Sequence, residues 1–141
     1  MGWVRSRGML SGDLTVNGGA LNVVNVSGAG GLGLSGSHIR VNNGRLNTIA
    51  ISGDVENDSL IEVGDRLGSM FVRGDLTDSS VEANSLGRVR VTGQISDPDG
   101  NDSISALDAN SGFSVGDTDT TRRVNQTNNH VDFDGLDAHV G

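Results

Sequence analysis

Three stretches decide the fold: Ile49-Ala50-Ile51-Ser52-Gly53-Asp54-Val55, Met70-Phe71-Val72-Arg73-Gly74-Asp75-Leu76 and Val89-Arg90-Val91-Thr92-Gly93-Gln94-Ile95. Each holds two apolar residues spaced by two, then a polar residue, a glycine, another polar residue and a further apolar one. Alternation with period two over so few residues describes a short strand with one buried face. The glycines at 53, 74 and 93 recur about every twenty residues, at the short end of known repeat periods. Val24-x-Val26-x-Gly28 is an earlier copy, Leu10-Ser11-Gly12-Asp13-Leu14 a partial one, and Phe113-x-Val115-Gly116-Asp117 a later one.

A second unit, apolar-x-apolar after a polar turn, follows in each repeat: Ile39-x-Val41, Ile61-x-Val63, Val81-x-Ala83 and Ile104-x-Ala106. Leu46, Leu67 and Leu86 stand between the second unit and the next copy of the first. Three short strands per repeat, each bounded by Gly, Asn, Asp or Ser, predict an all-β right-handed parallel β-helix. It would have about six coils of roughly 20 residues. No coil can bury its own apolar face, so stability is a sum of interfaces between neighbours. A helical reading fails because Gly recurs in every window, at about 1 kcal/mol relative to Ala in a helix interior. A β-sandwich also uses short alternating strands, but it has no need of one unit at nearly constant spacing.

Residues 1–141 read as a single solenoid domain, regular over 1–96. Gly28 to Gly36 is a glycine-rich coil with thin packing. From Asp97 the turns lengthen, and residues 97–141 read as irregular coils ending in a last coil or cap at Val131-x-Phe133 and Leu136-x-Ala138-x-Val140.

Composition narrows the function. The chain of 141 residues is 34% apolar and 3% aromatic, which suits small stacked layers better than a globule built on large aromatics. Its 18 acidic residues outnumber 10 basic ones, all of them Arg, for a net charge of −8. Arg5/Arg7, Arg88/Arg90 and Arg122/Arg123 read as pairs rather than a stripe, so no nucleic-acid partner is expected. The absence of cysteine excludes disulfides and thiolate metal sites. No stretch is long and apolar enough for membrane insertion, and Met-Gly-Trp-Val-Arg carries no hydrophobic leader. If the parent protein is exported, the chain is a mature segment or an excised piece.

The strongest chemical motif is Asp97-Pro98-Asp99-Gly100-Asn101-Asp102, with Asp108 in the twelfth position. It resembles the calcium loop of EF-hands and dockerin modules, where oxygen ligands at alternate positions and a closing acid encircle a hard cation. That resemblance implies Ca²⁺ held by Asp97, Asp99, Asn101 and Asp108. Asp102 stands where that loop has glycine, and no helix follows Asp108. Asp13, Asp54 and Asp75, each after a repeat glycine, are expected to splay into water. His38, His130 and His139 lack metal-ligand spacing and are expected on the surface. No catalytic constellation can be singled out.

The Gly-Asp-Leu-Thr and Leu-Gly-x-Val-x-Val-x-Gly units resemble those of long, repetitive bacterial surface and secreted proteins with β-helical stalks. The resemblance implies a structural or adhesive module at the cell surface or outside the cell. Its partners would be neighbouring coils, further copies associating end to end, or surface glycans. Two other readings are a carbohydrate-active β-helix of the lyase or hydrolase kind, and a polymer similar to the bactofilins in length and in its Val-x-Gly-x-Val rhythm.

Overall fold

The computed structural model describes residues 2–8, 10–27, 32–108, 110 and 112–141. Residues 28–31 of the glycine-rich coil, with the glycine of the Val24-x-Val26 unit, lie outside the described residues. Fourteen strands and no helix make up the described chain. In order they are β1 (Gly2–Ser6), β2 (Asp13–Val26), β3 (Leu32–Ser35), β4 (His38–Ile51), β5 (Asp54–Glu56), β6 (Ser59–Val72) and β7 (Leu76–Thr77). There follow β8 (Ser79–Val91), β9 (Ile95–Ser96), β10 (Ser103–Ala106), β11 (Phe113–Gly116), β12 (Thr121–Val124), β13 (His130–Phe133) and β14 (Leu136–Val140).

The strands stack in parallel as a β-solenoid of about five turns set about 22 residues apart. The turns are therefore slightly fewer and longer than the sequence spacing predicts. β2, β4, β6 and β8 are each 13 or 14 residues long because one extended run bends round a corner and supplies two sides of a coil. The first side carries Leu14, Ile39, Ile61, Val81 and Ile104 in register, and the second carries Val24, Ile49, Met70, Val89 and Val115. The third side is the separate four-stranded sheet β3-β5-β7-β9, joined by a bridge between Leu10 and Leu34.

Inward residues of all three sides meet in one cluster of Val, Ile and Leu that runs the length of the stack. Polar rows hold the coils in register. The buried Ser59 accepts the Ser37 N–H at 3.2 Å, and Ser79 accepts that of Ser59 at 3.2 Å. At the bend, Asn42 donates to Asn17 and Asn47 to Asn22, each at 2.9 Å. Asp54 Oδ1 accepts the Asp75 N–H and Asp75 Oδ1 that of Gln94, both at 2.8 Å. These two carboxylates therefore do not simply splay into water. Each caps an N–H of the next coil at the corner, where the ladder of the third sheet has not yet begun.

The parallel order ends in two antiparallel hairpins. β11 continues the second side on β8 and folds back into β12, while β14 lies parallel on β10 and folds back onto β13. The turn between β13 and β14 is Asp134-Gly135, both at positive φ (47° and 97°), the Asp-Gly pair that tight hairpin turns favour. Phe113, Val124, Phe133 and Leu136 fill the core beneath these hairpins.

Candidate functional site

The chemistry of the chain concentrates where the coils give way to the hairpins. Asp58, Asp78 and Asp102 each stand immediately before the serine that opens a strand of the first side. The corner turns sharply there: Asp58 and Asp78 have φ of 57° and 45°, the left-handed region that Asn and Asp tolerate. The Asp58 N–H bonds Asp78 O at 2.7 Å, and the Asp78 N–H bonds Ser96 O at 3.2 Å, so these corners lie on successive coils. Asp97 follows β9, and its N–H is held by Asp134 O at 3.0 Å, beneath the β13–β14 turn. The loop from Asp97 to Asp102 then folds back over Asp78.

Carboxylate oxygens of Asp78, Asp97, Asp99 and Asp102 all lie within 4.8 Å of one another. Asp97 is 1% exposed, Asp78 and Asp102 are half-buried and Asp99 is exposed. Asp97 Oδ2 accepts the Asp102 N–H at 2.6 Å, Asp102 Oδ1 accepts Ser80 Oγ–H at 2.6 Å, and Asp99 Oδ1 accepts the Asn101 N–H at 3.1 Å. Asp97 Oδ1, Asp78 Oδ1 and Asp102 Oδ2 are buried with no hydrogen-bond partner, unless one carboxyl lends another a proton. Among the described residues none of the four pairs with Arg or His.

The electrostatics follow from this crowding. Burial raises the Asp78 pKa above the ordinary carboxylate value, and the charges of Asp99, Asp97 and Asp102 raise it further. Burial also raises that of Asp102; the Ser80 hydrogen bond works against it, and the charges of Asp97, Asp58 and Asp99 add to the rise. Burial works upward on Asp97 too, but there the N–H groups of Asp102 and Gly100 and the flanking carboxyls of Asp99 and Asp78 prevail, and its pKa is lowered. One carboxylate is thus fixed as an anion while its neighbours resist ionising beside it. Oxygen donors from several chain segments, with no protein cation among them, are the donor set that Ca²⁺ takes.

The sequence-predicted ligands divide. Asp97 and Asp99 come together, and Asn101 adjoins them through its backbone N–H to Asp99. Asp108 lies past the far end of β10, where its Oδ1 accepts the Asn110 N–H at 3.0 Å, and it is not in the cluster. Asp102 and Asp78 are in its place. Asp78 lies nineteen residues before Asp97 and outside any loop motif, so the only signal for it was the Asp-Ser step at each corner.

Two other groups gain partners that the linear sequence does not reveal. Asp117 is 6% exposed and accepts N–H groups from Ile95, Asp119 and Thr120 at 3.0–3.2 Å. His130 and His139 face each other across β13–β14, with ring centroids 5.4 Å apart and Asp137 between them at 3.1 Å from each Nδ1. Linear spacing does not reveal that pairing, because the hairpin creates it.

The fold defines this chain as a parallel β-solenoid, a class that winds one repeat into a rod. In comparisons with known proteins, no family model, no curated protein and no solved structure matches the chain.

Proposed function

We propose that the chain is a structural segment of an exported, rod-like protein, and that calcium locks its stack at the junction between regular coils and hairpins. The observation that carries this reading is the Asp97 carboxylate, 1% exposed, whose Oδ1 has no partner and which clusters with three more carboxyls drawn from two successive coils. A divalent cation there would replace mutual repulsion with attraction and tie Asp78 of one coil to the Asp97–Asp102 loop of the next. Calcium sites of extracellular modules fill at about 10⁻⁴–10⁻³ M, the level that an exported rod would meet. Among the described residues, the grooves lined by Arg5 and Arg73 and by Arg88 and Arg90 hold no carboxylate of the kind that glycoside hydrolysis uses in pairs.

CaCl₂ titrated into the whole chain by calorimetry should saturate at one ion per chain below about 10 mM, and should raise the melting midpoint above that in chelator. Asp78→Asn and Asp99→Ala should each weaken binding by roughly tenfold or more, a loss typical even of outer-shell partners. Asp108→Ala should leave binding unchanged. Identical melts in calcium and chelator would remove the reading. Binding that survives Asp78→Asn but not Asp108→Ala would return the site to the twelve-residue loop.

A further inference from the structure

The second side of the solenoid gathers cations that the linear sequence scatters. In β8 the alternation buries Val89 and Val91 and turns Arg88 and Arg90 outward. The register carries the Arg88 row through Ser69, Thr48 and Val23 down to Trp3, and up through Ser114 to Arg123. The Arg90 row runs down through Phe71, Ala50 and Asn25 to Arg5. Arg73 follows β6 at the edge of the same side. No Asp or Glu occurs in residues 2–6, 21–26, 46–51, 67–72, 86–91, 113–116 or 121–124, the strands that form this side. A chain of net charge −8 therefore presents one face with five outward arginines and no strand carboxylate.

Among the described residues these arginines have no carboxylate partner: none of the five forms an ion pair. Arg90 reaches only Asp117 O and Thr121 Oγ1, at 3.3 Å each, and Arg123 only Ser114 Oγ at 3.5 Å. Trp3 is 74% and Phe71 40% exposed on the same face, beside the cations. A groove of about 360 Å³ is lined by Arg5, Asn25, Ser27, Ser52, Phe71 and Arg73, and one of about 320 Å³ by Arg88, Arg90, Ser114 and Thr121. Both lie on this face, one farther along the stack than the other.

We propose that this face binds a linear acidic polysaccharide laid along the solenoid axis. Guanidinium groups donate paired N–H bonds to carboxylate or sulfate in bidentate geometry. The Ser, Thr and Asn side chains offer donors and acceptors to sugar hydroxyls, and exposed Phe71 and Trp3 present flat apolar surface to the ring faces. Charge density separates this occupant from nucleic acid. Coils stack about 4.8 Å apart, so five arginines spread over six steps give about one cation per 6 Å. A strand of duplex nucleic acid carries a phosphate every 3.4 Å or so, roughly eight over the same span, so five arginines would leave about three uncompensated on a chain whose net charge already repels them. A polymer with one anion per sugar or per disaccharide is the sparser match. The inference is independent of the calcium clamp, which lies at another corner and is read by melting.

The test is binding of the whole chain, in chelator and about 50 mM salt, to polygalacturonate, a sulfated dextran, neutral dextran and a single-stranded oligonucleotide. One or both acidic polysaccharides should bind, and neutral dextran should not. The two polymers tell a carboxylate reader from a sulfate reader. Binding should weaken at least roughly tenfold at 200 mM salt, as for other contacts between exposed charges. Arg5→Ser/Arg73→Ser/Arg88→Ser should abolish it; these three side chains make no hydrogen bond or ion pair among the described residues, and an unchanged melt certifies the variant's fold. Arg40→Ser/Arg45→Ser/Arg66→Ser, which removes the same charge from the first side and the bend beside it, should retain binding. Failure to bind either acidic polymer, equal loss in both triple variants, or tighter binding of the oligonucleotide would each overturn the proposal.

Discussion

Gly68 and Gly87 occupy the same corner row on neighbouring coils, and their value is the side chain they lack. A methyl built on Gly68 would stand 2.6 Å from Asn47 O, and one on Gly87 would collide with Gly68 O. Neither carbonyl can retreat, because each belongs to backbone that the ladder fixes. Neither glycine has positive φ, so close coil-to-coil approach rather than a turn conformation requires it. Gly87→Ala should therefore destabilise by roughly 1–3 kcal/mol, the usual cost of forcing an atom into packed structure. Gly12→Ala, where nothing lies within 4 Å, should melt at or slightly above the parent midpoint. Equal effects of the two substitutions in thermal melts would show that the corner has room to relax.

Among elements, the hairpins differ most from what surrounds them. Phe113 opens β11 with its side chain fully buried, and with Phe133 it is one of the two phenylalanines in the core. Phe113→Ala should cost roughly 3–5 kcal/mol, because β8 and β12 cannot both collapse into the space. Amide exchange should quicken first in β11 and β12 while β4 and β6 stay protected. The parallel coils were legible in the sequence because every inward position repeats the same chemistry: Ile49, Met70 and Val89 share one row as the spacing requires. The hairpins were less so, because Val131-x-Phe133 and Leu136-x-Ala138 alternate in the same way whether they pair in parallel or antiparallel. Half of the carboxylate cluster could be read, since Asp97 and Asp99 are neighbours in sequence. Asp78 could not, because it arrives through a coil-to-coil step that no local motif encodes. The arginine face was missed for the same reason: Arg5, Arg73 and Arg88 become neighbours only after winding.

At the scale of the molecule the two ends are unlike. At one end β1 and residues 13–17 of β2 present strand edges without partners among the described residues, above the half-buried Val4, Leu10, Leu14 and Val16. At the other end the outermost strands are the four-residue β12 and β13, which carry Arg, His and Asp, and short charged edges discourage pairing. Self-association at high concentration should therefore join like ends and stop at a dimer in sedimentation equilibrium, and Val4→Lys/Leu14→Lys should abolish it. Open-ended filaments would contradict this asymmetry. A further property follows from coils that touch only the coil before and the coil after. Stretched between its termini, such a chain has no long-range bond to hold its middle, so it should come apart as thread from a bobbin. Each loop set free would add about 70 Å of slack, the contour length of some twenty residues. Where this rod bears tension, it would behave as a stepwise shock absorber rather than a brittle strut.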